Sequence, residues 1–270
     1  MTQPLRIAIA GLGAIGKSIA STLAKSGVSG IELTAVSAKD RLRAEQFVAT
    51  LAKPVPVVTI SELEPLADIV IECAPAALLP EIVGPFMKAK KQAIVLSVGG
   101  LLFHDQLIAM AKLDGGIIHV PTGALIGLDA MIAAAEGQIH SVRMITRKPP
   151  KGLAGAPHLI ENKINIEGLS EPLKVFTGNA REAAKGFPAN LNVVVALALA
   201  GVGPEQTTLE IWADPTVVRN THSIVVDSDS AKFTMTMENI PSENPKTGRI
   251  VAQSVIALLR KMTSNFRVGT

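Results

Sequence analysis

The sequence is poor in the residues that build specialised chemistry. It has no tyrosine, one tryptophan (Trp212) and seven phenylalanines. Its core must therefore be built from Ala, Val, Ile and Leu, as the cores of helix-covered parallel sheets usually are. A single cysteine, Cys73, excludes an intrachain disulfide and a cysteine-ligated zinc site, and it fits a reducing, cytoplasmic compartment. No metal site is expected. Charge of one sign is also scarce: 26 Lys and Arg stand against 23 Asp and Glu, a field too weak and too evenly spread to draw in a nucleic acid. The most apolar run, residues 191–201, has about eleven residues against the ~20 that a membrane-spanning helix needs, so it predicts a buried helix. The opening Met-Thr-Gln-Pro-Leu-Arg runs straight into a strand-like segment, without the apolar stretch of an export signal.

What is present is length and apolar content: 270 residues, 48% of them hydrophobic, are enough for one large domain or two ordinary ones with a sizeable core. The first 120 residues alternate strand and helix patterns. Strands are predicted at 6–10, 31–36, 57–60, 67–73, 93–97 and 116–120, with helices at 15–26, 41–51, 78–88 and 103–112 between them. This order predicts a doubly wound parallel sheet of the Rossmann type over residues 1–120. After Pro121 the apolar period changes to two, at 142–146, 175–177, 207–213, 223–227 and 232–238. A second α+β domain with a mixed or antiparallel sheet is expected over 121–243, accompanied by helices at 124–136 and 189–200. A last helix, predicted from Asn244-Pro245 to Met262, is expected to pack back on the first domain.

Directly after the first strand stands Gly11-Leu-Gly13-Ala-Ile-Gly16-Lys17-Ser18, which fits two motifs at once. As G-x-G-x-x-G, Gly11 makes the tight turn, Gly13 lets the backbone approach a pyrophosphate, and Gly16 lets the following helix sit close to the strand. As a P-loop, Lys17 would reach terminal phosphates and Ser18 would hold magnesium. The P-loop also needs a strand ending in a magnesium-organising acid. Here Asp68 opens the buried strand and Glu72 is followed by Cys73, so the context favours the dinucleotide reading over the P-loop and over a merely glycine-rich turn. The candidate cofactor contacts are Gly11, Gly13, Ala14, Ile15 and Gly16, the end of the second strand at Ser37 and Lys39, and the end of the buried strand at Cys73 and Ala74. The acid expected after the second strand to hold a ribose hydroxyl is replaced by Ser37-Ala38-Lys39-Asp40-Arg41, whose hydroxyl and cations suit a 2′-phosphate. The cofactor is therefore expected to be NAD or NADP.

Hydride transfer also needs a group that exchanges a proton, and histidine titrates near neutrality. Of the five histidines, His104, His119 and His140 read as capping, core and surface residues, and His158 is undecided. His222 opens a strand of the second domain after a turn, which by spacing alone leaves its role open.

The glycine-rich start, together with Pro121-Thr-Gly-Ala-Leu-Ile-Gly-Leu-Asp-Ala130, Thr146-Arg-Lys-Pro-Pro150, Phe187-Pro-Ala-Asn-Leu-Asn-Val193, Ala213-Asp-Pro215, Asn220-Thr-His222 and Glu243-Asn-Pro-Lys-Thr247, resembles the L-aspartate dehydrogenase family. The resemblance implies NAD(P)-dependent oxidative deamination of L-aspartate to iminoaspartate, then oxaloacetate and ammonia, often linked to NAD biosynthesis. It implies that His222 is the active-site residue and that Ala124 and Asn190 contact the cofactor. A dicarboxylic substrate calls for a cationic clamp, for which Arg147 and Lys148 are candidates, with Asn192 as a further substrate contact. A homodimer or larger homo-oligomer is expected. The rivals are a dihydrodipicolinate-reductase-like imine reductase, whose Lys-x-Asp-x-Pro-Ser-Gly-Thr segment is missing here, a non-catalytic dinucleotide sensor, and a P-loop kinase.

Overall fold

The computed structural model describes residues 3–25, 27–188, 191–240 and 248–270. By its contacts the chain divides into two compact units, one of Met1–Gly123 with Val251–Arg267, the other of Ala124–Ile250 with Val268–Thr270.

The first unit is built on a parallel sheet of β1 (Leu5–Ala10), β2 (Ile31–Ser37), β3 (Ile69–Glu72), β4 (Gln92–Val95) and β5 (Ile117–His119), in the order β2-β1-β3-β4-β5. The inner strands read as continuous apolar runs because both faces are covered; Ile7 to Ala10 and Ile69 to Ile71 are fully buried. Strand order reverses between β1 and β3, and the crevice beyond their carboxyl ends is where open α/β sheets bind ligands. Helices α1 (Ala14–Lys25), α2 (Arg41–Val48), α3 (Leu63–Leu66), α4 (Leu79–Lys88) and α5 (Asp105–Asp114) connect the strands. The predicted strand at 57–60 does not form. Val57 makes one parallel bridge to Val36, after which the Glu62 carboxylate accepts from Thr59 N (2.8 Å) and Thr59 Oγ1 (2.7 Å) and turns the chain into a 3₁₀ segment, Ile60–Glu62. Ala252, Val255 and Leu259 of the final helix complete this unit's core alongside Ile7, Ile9, Ile19 and Val36.

The second unit contains α6 (Leu128–Ala135), β6 (Ile139–Lys148), α7 (Pro157–Glu161), β7 (Leu173–Asn179), α8 (Ala180–Gly186), α9 (Asn192–Ala200), β8 (Thr207–Ala213), β9 (Asn220–Ser228) and β10 (Lys232–Asn239). Its sheet runs β10-β9-β6-β8-β7. It is mixed: β6 lies parallel to β8 and antiparallel to β9, so strands that follow one another in sequence are not all antiparallel neighbours. Period-two alternation is clear along β8, where Thr207, Leu209, Ile211 and Ala213 are buried, and along β9, where His222, Ile224, Val226 and Ser228 are buried. Helices α7 and α8 were not expected. The second starts at a capping box in which Asn179 Oδ1 accepts from Glu182 N (2.8 Å) and Glu182 Oε2 accepts from Asn179 N (3.0 Å). The last helix, α10, runs Ile250–Thr263; its predicted start at Asn244-Pro245 lies outside the described residues.

Candidate active site

In the first unit the loop between β1 and α1 is shaped by its glycines. Gly11 has φ of +103°, and a Cβ there would come within 2.5 Å of the Cys73 carbonyl oxygen. A Cβ on Gly16 would collide with the Gly11 carbonyl oxygen, so only glycine lets α1 begin this close to β1. At Gly13 the space is open: a Cβ would meet nothing within 4 Å. The loop is fixed at its root, where Gly11 N donates to Ser37 O (2.7 Å) and Cys73 N donates to Ala10 O (2.8 Å). Ala14 and Ile15 form the first turn of α1, with Ile15 packed against the core.

Around this loop lies a cavity of about 1000 Å³, the size of a site for a large organic ligand. Its wall brings together the expected Gly11, Gly13, Ser37, Lys39, Cys73 and Ala74. Arg41 does not line it and pairs instead with Glu45 at 2.8 Å. Arg43, which no sequence motif marks, does line it. Asp40 caps α2 through Arg43 N (3.0 Å) and also pairs with Arg43 Nε at 3.2 Å. A dinucleotide fits this arrangement: backbone amides and a helix N-terminus beside an open glycine suit a pyrophosphate, and cations at the end of β2 suit phosphate on the adenosine ribose.

Glu72, at the end of β3, has no exposed surface. Its carboxylate accepts from Ala74 N (2.9 Å), Leu96 N (3.1 Å), Ser97 N (2.8 Å) and Ser97 Oγ (2.9 Å). Burial raises its pKa above the ordinary glutamate value in spite of these donors. The side chain ties together the loops after β3 and β4 and so holds Cys73 and Ala74 at the cavity wall. Such bracing leaves no local trace in a sequence.

In the second unit the focus is the helix-covered face of the sheet. His222 is 3% exposed, and its Nδ1 shares a hydrogen bond of 3.0 Å with Thr146 Oγ1, the residue directly opposite it in the β6–β9 register. Burial, reinforced by the charge of Lys148, lowers its pKa to about 3, so the ring is neutral at physiological pH. Lys148, two residues along β6 on the same face, is 4% exposed, and burial lowers its pKa to about 8. It lines a small cavity with Met144, Thr146, Val193, Val194, Leu209 and Ile211.

Arg147 is not brought to this group. Adjacent strand residues point to opposite faces. The Arg147 guanidinium lies on the other side, 2.9 Å from Asp214 Oδ2 and 4.8 Å from the centre of the Trp212 ring. Despite the cost of burial, hydrogen bonds from Thr216 and Arg147 hold the Asp214 carboxyl below the usual range. Asn192 opens α9 and is exposed. Asn190 lies outside the described residues. Ala124 O accepts from Asn239 Nδ2 at 3.0 Å, while Asn239 Oδ1, in a residue 4% exposed, has no hydrogen-bond partner among the described residues. His104 precedes α5 and His119 bonds Gln92 at 2.8 Å, both in the first unit, and in the second His158 packs against Phe176 and Phe187. Among the described residues no group of three or more His, Cys, Asp or Glu side chains converges as a metal site requires, and no helix is long and apolar enough to cross a membrane.

Comparison with known proteins accounts for both units. Residues 11–121 match the family model "Homoserine dehydrogenase, NAD binding domain", and residues 129–262 match "Aspartate dehydrogenase, C-terminal". The chain is 60% identical over 268 residues to L-aspartate dehydrogenase 3 of Bordetella bronchiseptica, covering 99% of this chain and 98% of that protein. It is 58% identical to the L-aspartate dehydrogenase of Bradyrhizobium diazoefficiens, covering 100% and 95%. A crystal structure of aspartate dehydrogenase from Thermotoga maritima shares the fold, with a TM-score of 0.75 and 24% identity over 98% of this chain and 99% of that one.

Proposed function

The chain belongs to the L-aspartate dehydrogenase family, and from that premise we infer that it catalyses the NAD(P)-dependent oxidation of L-aspartate to iminoaspartate, which water converts to oxaloacetate and ammonia. The observation that carries this reading is the likeness to L-aspartate dehydrogenases along the whole chain, both units included. The imine-reductase, sensor and kinase readings have no comparable support.

In this reading the first unit holds the dinucleotide. The Gly11–Gly13 backbone and the start of α1 take the pyrophosphate, and Ser37 and Lys39, with Arg43, face the adenosine ribose. Ala124 and Asn190 complete the contacts. When bound, the nicotinamide accepts a hydride from the substrate's Cα. The second unit supplies the groups that act on the amino acid. His222 is the active-site residue: with Nδ1 carrying its proton and donating to Thr146 Oγ1, Nε2 presents a lone pair to the substrate amine or to the water that attacks the imine carbon. This assignment is supported by the hydrogen bond that fixes the ring and by burial, which keeps it neutral. Of the two cations proposed as a clamp, Lys148 shares the His222 face and Arg147 does not, so the substrate contact is assigned to Lys148, with Asn192, at the start of α9, as a further contact. We further read the enzyme as cytoplasmic and homo-oligomeric. The half-buried face of the second sheet that carries Ile145, Trp212 and Val225 is a surface for a second copy.

The reaction is tested by following reduction of NAD and NADP against a panel of amino acids and, in reverse, their oxidation by oxaloacetate with ammonia. A response confined to L-aspartate and close analogues is expected. No response to any dicarboxylic amino acid would remove the reaction and leave only dinucleotide binding.

A further inference from the structure

We propose that Lys17 sets the choice of dinucleotide: its ammonium, together with Lys39 and Arg43, takes the 2′-phosphate of NADP, so that the enzyme favours NADP over NAD. The proposal rests on the dinucleotide site assigned above. It gives a role to a residue of the glycine-rich motif that this site otherwise leaves unused.

Lys17 lies at the end of the first turn of α1. Its backbone N–H donates to Gly13 O (2.9 Å), so only the side chain is open to a ligand. Helix electrostatics disfavour a cation there, because the N-terminal end carries partial positive charge and prefers acids. The first turn of α1 holds no acid, and a bound anion alongside would offset the cost. The direction of the side chain separates the possible anions. A lysine serving the pyrophosphate, or the terminal phosphates of a triphosphate, would fold back over the glycine turn. Lys17 Nζ instead reaches across to α2 and stands 5.3 Å from the centre of the Phe47 ring. Phe47 follows Arg43 by four residues on α2, so the ammonium and the guanidinium lie along one face of that helix. Both residues line the cavity.

Charge points the same way. The cations of the cavity wall are Lys17, Lys39 and Arg43, and its carboxylate is Asp40. Asp40 is engaged by Arg43, whose Nε lies 3.2 Å away, and among the described residues neither lysine has an ion-pair partner. Three positive charges less one negative leave two, which matches a phosphate monoester at about −2. The pyrophosphate is met elsewhere, by the amides and helix end of the glycine loop. A ribose with a free 2′-hydroxyl leaves the cations repelling one another, whereas a 2′-phosphate removes that repulsion.

The test is fluorescence titration of the full-length protein with NADPH and with NADH, wild type beside Lys17→Met, Lys17→Arg and Asp40→Asn. The readout is the ratio of the two Kd values, which does not depend on turnover. The wild type is expected to bind NADPH about tenfold or more tightly than NADH, and Lys17→Met should cut that preference about tenfold, the effect of one charge-assisted hydrogen bond. Lys17→Arg should keep most of it, since the charge remains. Asp40→Asn keeps a capping side chain and removes the competing anion, so it should raise the preference. Raising salt from about 0.05 to 0.5 M should shrink it in the wild type. Lys17 is exposed, so its replacement leaves the core intact. A Lys17→Met protein in which both Kd values rise by the same factor would place Lys17 on the pyrophosphate, and one with the wild-type ratio would give it no role. A wild type that binds NADH as tightly as NADPH would deny the preference; each of these results overturns the proposal. A wild type that binds neither dinucleotide would instead refute the site itself.

Discussion

Acidification should unfold the second unit through His222. The ring's folded pKa is about 3, against roughly 6.5 in an unfolded chain. A depressed value means that the folded state refuses a proton the unfolded state accepts. The stabilisation is therefore complete above about pH 6.5 and is lost as pH falls from there towards 3. At about 1.4 kcal/mol per unit, the loss is ~2 kcal/mol by pH 5 and about 5 kcal/mol over the whole window. Lys148 contributes no slope here, since below pH 8 it is protonated in both states. The assay is urea unfolding at about pH 7.5, 6.5 and 5 of the wild type and His222→Gln, followed by fluorescence. The single tryptophan, Trp212, lies on β8 and so reports this unit. The variant should lose less stability than the wild type over the same range by about the figure given. Parallel pH dependences in the two proteins would refute the burial argument for His222.

The same linkage gives Lys148 the opposite practical outcome. Its folded pKa of about 8, below an unfolded value near 10.4, means that stability is regained only as pH rises through that window. At neutral pH the charged amine thus costs about 3 kcal/mol, and Lys148→Met should raise the melting temperature of the apo-enzyme while activity falls. Gly16→Ala and Gly13→Ala should part company. The first drives a methyl into the Gly11 carbonyl and should cost about 1–3 kcal/mol of stability; the second meets nothing within 4 Å and should melt normally yet bind NAD(P) weakly in a titration. Ser37→Asp should lower NADPH affinity roughly tenfold or more relative to NADH, because a carboxylate there repels a 2′-phosphate and accepts from ribose hydroxyls.

Legibility in the sequence followed the range of the interactions. The first unit was readable because a strand, a glycine turn and a helix within 25 residues are local, and the unbroken apolar runs of β1 and β3 announce burial on both faces. The parallel pairing of β6 with β8 was not readable, since it depends on which distant strand slots between which neighbours. Arg147 and Lys148 both have the charge a clamp needs, but as adjacent residues of β6 they face opposite sides of the sheet, which period-two alternation makes legible. The capping box at Asn179 and Glu182 is likewise a local signal of a helix start. Glu72 differs in kind. Its partners Leu96 and Ser97 lie 24 and 25 residues away, and a carboxylate inside an apolar strand gives no hint of the loops it braces.

The division between a dinucleotide cradle in one unit and proton chemistry around His222 in the other is tested most directly by His222→Ala, measured for both properties in one preparation. NAD(P)H should bind as tightly as to the wild type, while aspartate-dependent reduction falls by about 10²–10⁴-fold. Turnover at the wild-type rate, or loss of cofactor binding along with activity, would contradict the account.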